Sequence, residues 1–319
     1  MTRLDPRFRG NVPALVTPRR ADGGPDLDAM GRLVDHVIAA GVEAVNVLGT
    51  TGEFSLVPPN HRAPLIRRAV AAADGRVAVM AGCGRPSVAE TAAEIAAAAE
   101  CGALAALVTP SYYFPLTDSE IVRFFSCLSD ESPPIPLLYY HFPQMTDGRA
   151  SASAILELAR AGIIAGVKDS SGDAAFFARL AAGSAILPDF RLFIGGSGFL
   201  LGALAQGATG VIGALSGFAP HLDNDLIDAV AKGDMAHARQ AQARITRAVD
   251  ALFGSTPRNP AAAAKTILAS FDVCGEAVFP PLEPVTEAET RQILGQLPSL
   301  GIVPPWREAP APRRPAIAR

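Results

Sequence analysis

Between residues 12 and 215 the chain repeats one succession eight times: a short apolar run, a turn marked by glycine, proline or hydroxyl side chains, then an alanine-rich stretch with helical spacing. The apolar runs occupy residues 12–17, 44–49, 77–83, 104–109, 137–141, 163–168, 191–195 and 210–215. Runs of about four to eight apolar residues bounded by turn chemistry read as strands buried on both faces. Strands that alternate with helices pair in parallel through right-handed crossovers. Eight such units predict an α/β fold, a closed (β/α)8 or TIM barrel over residues 1–224, whose chemistry gathers where the carboxyl ends of the strands meet one face.

Beyond residue 225 the β runs cease, and helices are predicted over residues 234–254, 260–272 and 287–297. Ile245, Val249 and Leu252 form one apolar stripe at helical spacing. Residues 225–303 therefore read as a C-terminal helical region packed on the barrel. From residue 304 to 319, Pro305, Pro310, Pro312 and Pro315 alternate with arginines, a tail expected to be disordered.

A formal net charge of -3 gives no electrostatic reason to expect nucleic acid or an anionic membrane as partner. The first nine residues carry charges with no apolar segment behind them, and no run reaches membrane-spanning length. Cys83, Cys101, Cys127 and Cys274 lie far apart without a Cys-x-x-Cys pair, which fits reduced thiols in the cytoplasm. The histidines are scattered too, so neither a sequence-local metal site nor a cofactor is expected. Small metabolites remain as partners.

The chain holds only three lysines, Lys168, Lys232 and Lys265, and uses arginine for its other cations. Lys232 sits in a helix C-terminal signature and Lys265 in a helical alanine run. Lys168 alone closes an apolar strand, followed at once by Asp169-Ser170-Ser171-Gly172. On strand alternation Gly166, Lys168 and Ser170 face inward, while Val167 and Asp169 face the helices, so the adjacent carboxylate does not hold the amine protonated. Burial can lower a lysine pKa by up to ~3–5 units, which makes the amine a nucleophile suited to a Schiff base with a carbonyl substrate. The alternative is a solvated lysine at a strand end.

Gly49-Thr50-Thr51-Gly52-Glu53-Phe54-Ser55 offers successive backbone amides and two hydroxyls to a carboxylate or phosphate, or makes an ordinary turn with a helix cap. Of Tyr139 and Tyr140 only one can face inward, as a proton carrier beside the lysine or as a packing residue. Ser111-Tyr112-Tyr113-Phe114-Pro115 is an aromatic loop, either interface or site. Gly195-Gly196-Ser197-Gly198 could cradle a phosphate. Gly202 comes one position late for a dinucleotide fingerprint.

Together, Gly-Thr-Thr-Gly-Glu at 49–53, Thr-Pro-x-Tyr at 109–112, Tyr-x-x-Pro at 140–143 and Gly-Val-Lys-Asp at 166–169 resemble the dihydrodipicolinate synthase and N-acetylneuraminate lyase family of pyruvate-handling class I aldolases, over about residues 12–297. The resemblance implies that Lys168 forms the pyruvate imine beside the Tyr140 phenol. Thr50 would relay protons between Tyr140 and a Tyr112 from a neighbouring subunit of a homotetramer built as a dimer of dimers. Thr51 and the loop amides, Gly49 included, would hold the pyruvate carboxylate, and the Gly195 carbonyl and Ile212 side chain would line the pyruvate pocket.

Two departures matter, the first leaving the expected mechanism in place and the second bearing on substrate. The family's Tyr-Asn-x-Pro is Tyr140-His141-Phe142-Pro143 here, which changes the shape and charge of a polar neighbour. Where synthases carry an arginine for the aldehyde partner's carboxylate this chain has Met145, and where sialic acid lyases place acidic residues it has Gly196-Ser197-Gly198. The pattern over 140–146 is closer to members acting on 2-keto-3-deoxy sugar acids. The expected activity is cleavage or formation of a 2-keto acid from pyruvate and a neutral aldehyde, with Met145 in the second-substrate pocket. Alternatives are 4-hydroxy-tetrahydrodipicolinate synthase, which condenses pyruvate with aspartate semialdehyde, and a keto-deoxy sugar acid dehydratase. From other classes come a sugar-phosphate isomerase and a non-catalytic metabolite-binding barrel.

Overall fold

A computed structural model describes residues 3–146, 150–253 and 260–303. Its strands are β1 (Gly10–Pro13), β2 (Ala44–Val47), β3 (Ala78–Gly82), β4 (Ala105–Val108), β5 (Leu137–His141), β6 (Gly166–Asp169), β7 (Arg191–Ile194) and β8 (Gly210–Gly213). All pair in parallel in the order β1-β8-β7-β6-β5-β4-β3-β2. A parallel bridge between Ala14 and Asn46 joins the two ends, so the expected eight-stranded (β/α)8 barrel is present.

Between and after the strands lie α1 (Leu27–Ala39), α2 (Pro59–Ala73), α3 (Val88–Glu100), α4 (Asp118–Glu131), α5 (Pro143–Thr146), α6 (Ala152–Arg160), α7 (Ala174–Ser184), α8 (Leu200–Ala205) and α9 (Pro220–Ala231). Residue 224 lies within α9. The chain then continues through α10 (Met235–Phe253), α11 (Pro260–Ser270) and α12 (Glu287–Gln296). Ile245 and Leu252 of α10 are buried and Val249 packs partly buried beside them. The proline-rich residues 304–319 lie outside the described residues, as does Arg149, an arginine that would restore the carboxylate-binding charge missing at Met145. No described helix is long and apolar enough to cross a membrane.

Two apolar cores follow from strand alternation. Val12, Ala44, Met80, Leu107, Leu138, Tyr140, Phe193 and Ile212 fill the barrel interior. Val45, Val47, Val79, Val108, Tyr139, Val167, Leu192 and Val211 face outward into the helical layer. Burial on both faces is why these strands read as continuous apolar runs.

Strand β5 has its expected bounds, but β6 starts at Gly166, three residues later than residue 163. The intervening residues end the preceding helix instead: Gly162 has φ +72°, and the Ile163 amide donates to the Leu158 carbonyl at 3.0 Å. A glycine in the left-handed region followed by an apolar residue is a common helix terminator. Ile163 and Ile164 therefore carry strand-like composition on residues that cap α6.

Candidate active site

Parallel register sets Lys168 opposite Tyr140 on one side and Phe193 on the other. Lys168 is buried, with Nζ 4.2 Å from the centroid of the Tyr140 ring. An aromatic face attracts a cation without neutralising it. The neighbouring carboxylate is turned elsewhere, as alternation predicts: Asp169 Oδ1 accepts from the Ser171 amide at 2.9 Å, and burial raises its pKa above the usual carboxylate range.

The loop after β2 brings the second group. Thr50 Oγ1 lies 3.2 Å from the Tyr140 hydroxyl, a geometry through which a proton can pass. Its backbone is tightly held. Leu48 and Glu53 adopt left-handed φ values of +54° and +55°, the Thr17 hydroxyl donates to the Gly52 carbonyl at 2.6 Å, and Arg62 Nη1 donates to the Phe54 carbonyl at 2.6 Å. A Cβ at Gly82 would sit 1.9 Å from the Leu48 carbonyl oxygen, so only glycine lets β3 pass this close beneath the turn.

A cavity of about 430 Å³ opens over these groups. Thr50 and Thr51 line it from the β2 loop, Tyr140 and Phe142 from β5, Lys168 and Ser170 from β6, Gly195, Gly196 and Gly198 from the β7 loop, and Ala214 from beyond β8. Asp173, Phe177, Phe199 and Pro260 complete the rim and walls. Thus Lys168, Tyr140, Thr50, Thr51 and Gly195 line one cavity.

Four other residues do not line this cavity. Ile212 is fully buried among the barrel-interior side chains with Tyr140. Gly49 is buried behind the loop, its carbonyl accepting the Phe54 amide at 3.2 Å. Tyr112 is half-buried and meets Phe54 edge-on at 6.4 Å. Met145, expected in the second-substrate pocket, is 65% exposed because the single turn of α5 points it to solvent. Asp173 and Pro260 line the cavity without having been candidates in the sequence. Asp173 caps α7 by accepting from the Ala175 and Phe176 amides, and a polar residue at the start of a helical stretch was the available signal. Nothing local marks Pro260, which reaches the cavity from the C-terminal helices.

The His141 substitution adds no charge beside Tyr140. Its imidazole lies on the outer face of β5, stacked on Phe176 at 4.3 Å, and burial lowers its pKa to about 4. Neutral His141 therefore acts as a packing ring in the helical layer.

Asp223 of α9 ties two active-site loops together. Its Oδ2 accepts from Ser197 in the β7 loop at 3.0 Å and from Ser216 beyond β8 at 2.5 Å. Full burial raises its pKa from 3.8 to about 6 despite both hydroxyl donors. The folded form thus binds this proton more tightly than the unfolded chain. Its contribution to stability is complete below about pH 4 and is lost as pH rises through about 6, roughly 3 kcal/mol for a two-unit shift. Asp223→Asn should remove this component, so that wild type loses stability relative to the variant between about pH 4 and 7. Urea midpoints measured at both ends of that range check it, and parallel pH profiles would refute it.

Among the described residues no group of three or more His, Cys, Asp or Glu side chains could hold a metal ion. The model of the Dihydrodipicolinate synthetase family matches residues 7–298. A 4-hydroxy-tetrahydrodipicolinate synthase of Phenylobacterium zucineum is 32% identical over 94% of this chain and 100% of its own length. A prophage protein of E. coli K12, YagE, solved in complex with pyruvate, superposes with a TM-score of 0.87 at 27% identity, covering 93% of this chain and 99% of its own. A dihydrodipicolinate synthase of Bacillus anthracis gives a TM-score of 0.86 at 26% identity over 93% and 99% of the two chains.

Proposed function

Since the chain belongs to the dihydrodipicolinate synthetase family, we infer that its cavity performs that family's chemistry, with Lys168 as nucleophile and Tyr140 and Thr50 as proton carriers. The enzyme is a pyruvate-dependent class I aldolase, a carbon–carbon lyase. The observation that carries the residue assignment is the contact of Lys168 with Tyr140, whose hydroxyl meets Thr50 beside the loop at Thr51.

The neutral Lys168 amine adds to the C2 carbonyl of pyruvate, and the proton lost by the new ammonium nitrogen is relayed through Tyr140 to the alkoxide, giving a neutral carbinolamine. Loss of the hydroxyl as water, with a proton delivered by Tyr140, leaves a protonated imine. Removal of a C3 proton gives an enamine, which attacks an aldehyde carbon to form the new carbon–carbon bond while the aldehyde oxygen takes a proton from Tyr140 and the imine is regenerated. Water then releases the 2-keto acid and restores the amine. Each step moves a proton at the same place, which a phenol hydrogen-bonded to a threonine hydroxyl supports. Thr51 and neighbouring amides hold the carboxylate.

The second substrate is read from the rim. Among the described residues Lys168 is the only cationic side chain lining the cavity, and Asp173 stands at its exposed edge. An incoming carboxylate would lose its hydration, a penalty of several kcal/mol per ion, without a guanidinium to replace it, and would approach a like charge. We therefore assign the enzyme a neutral, hydroxylated aldehyde such as glyceraldehyde, and in the cleavage direction a 2-keto-3-deoxy sugar acid. Aspartate semialdehyde is the competing reading, favoured by relatives named 4-hydroxy-tetrahydrodipicolinate synthase. Pyruvate condensation assayed against both aldehydes should give a kcat/KM for glyceraldehyde at least about tenfold higher, the ratio for one charge mismatch of roughly 1.4 kcal/mol. Aspartate semialdehyde emerging as the better substrate would sink the assignment. A homotetramer belongs to the same proposal, because Tyr112 does not line the cavity of its own chain and a neighbouring subunit would supply it, and so does a cytoplasmic location, where the free thiols of Cys83, Cys101, Cys127 and Cys274 stay reduced.

A further inference from the structure

The second buried lysine lies behind the carboxylate-binding loop and takes no part in the chemistry above. Lys265 of α11 and Glu53 of the β2 loop have fully buried side chains with Nζ 2.5 Å from Oε1. The other carboxylate oxygen, Oε2, accepts from the Phe279 amide at 2.6 Å, and Lys265 donates to the Ala277 carbonyl at 2.7 Å. The Phe279 ring also sits beneath the Lys265 ammonium, with the centroid 5.5 Å away. One carboxylate thus joins the β2 loop to α11 and to the segment that follows it.

Glu53 lies two residues after Thr51 and three after Thr50. Its left-handed φ turns the side chain away from the cavity and into the C-terminal helices. Pro260, at the start of the same α11, lines the cavity. A buried ion pair adds little net stability over an apolar pair of equal volume, but displacing either partner leaves the other charge stranded. Such a pair is a poor glue and a strict locator.

With the imine chemistry proposed above as its ground, we propose that Glu53 and Lys265 are positioning residues that set the height of the Thr50–Thr51 loop, and so the place of the pyruvate carboxylate, from the C-terminal helices. They touch neither substrate nor reacting atoms. The loop is also fastened by Thr17 and Arg62, so loss of the pair should shift it without unfolding the barrel. A displacement of about 1 Å at a substrate-positioning group costs on the order of tenfold to a hundredfold in reactivity.

Borohydride trapping with two ketones separates positioning from general damage. Pyruvate needs the carboxylate site, whereas hydroxyacetone forms an imine at Lys168 without it. In Glu53→Gln, which keeps the volume and an acceptor for the Phe279 amide, the pyruvate concentration for half-maximal trapping should rise about tenfold or more. Hydroxyacetone trapping should stay within about twofold of wild type, within the scatter of a substitution away from the reacting atoms. In Lys265→Met the stranded carboxylate should give a larger pyruvate defect, and Glu53→Gln combined with Lys265→Met should recover part of it, since no charge is then left alone. If Lys265→Met does not fold, Glu53→Gln decides by itself. Equal losses for the two ketones, or no change for either, would overturn the positioning role while wild type still traps pyruvate. A wild type that traps no pyruvate would overturn the aldolase reading first and this inference with it.

Discussion

Lys168→Ala is expected to trap no pyruvate under borohydride and to lose about 10⁴-fold or more in kcat, the scale on which removal of a covalent nucleophile acts. The loss is this large because the imine is an electron sink. Without it the bond-making step passes through a pyruvate carbanion that no other described side chain lining the cavity stabilises. The variant should fold, since Lys168 occupies the inner mouth of the barrel and its neighbouring Asp169 is hydrogen-bonded elsewhere, so truncation strands no charge. Mapping the adduct is unambiguous with three lysines in the chain, of which Lys232 is exposed at the end of α9 and Lys265 is sealed against Glu53. A pyruvate adduct of undiminished yield in Lys168→Ala would reassign the nucleophile.

Tyr140→Phe should lower kcat/KM by ~10²–10⁴-fold, the usual range for a general acid–base group, and should slow imine formation measured by trapping. The ring stays, so the packing around Phe142 and the Lys168 amine over its face are kept, and the melting temperature should move little. What disappears is one hydroxyl and its 3.2 Å contact with Thr50. Thr50 is only partly buried, so water can take over its hydrogen bond, and the defect reports lost proton transfer rather than a stranded polar group. A variant that turns over within a few-fold of wild type would make Tyr140 a packing residue.

The barrel was legible because strands buried on both faces keep an uninterrupted apolar signature, and eight of them alternate with helices. The inward side of Lys168 was legible from a strand period of two, whereas the same period left Tyr139 and Tyr140 as alternatives, and only the family resemblance singled out Tyr140. Residues placed by loops and by distant helices were not legible. Met145 is a cavity residue by the family resemblance alone, yet a single helical turn points it to solvent. Pro260 reaches the rim, and Lys265 the back of the carboxylate loop, only because α11 folds over the barrel, a contact between residues more than two hundred positions apart that no local pattern encodes. His141 shows the converse. Its place beside a catalytic residue suggests a change in the shape and charge of the site, but β5 turns it to the opposite face.

The cavity draws its two halves from different kinds of structure. Lys168 and Tyr140 stand on neighbouring strands of a hydrogen-bonded ring, whereas Asp173, Phe199 and Gly196 stand on exposed loop and helix ends. Exposed connecting segments accept substitution far more readily than barrel strands do. The two halves can therefore drift at different speeds, and a duplicated copy of the gene can change its aldehyde through the rim alone while the pyruvate half is inherited intact. For an engineer the same asymmetry defines a small combinatorial library: randomise Asp173, Gly196 and Phe199, select on aldehyde, and use borohydride trapping of pyruvate as the control that should stay constant across the clones.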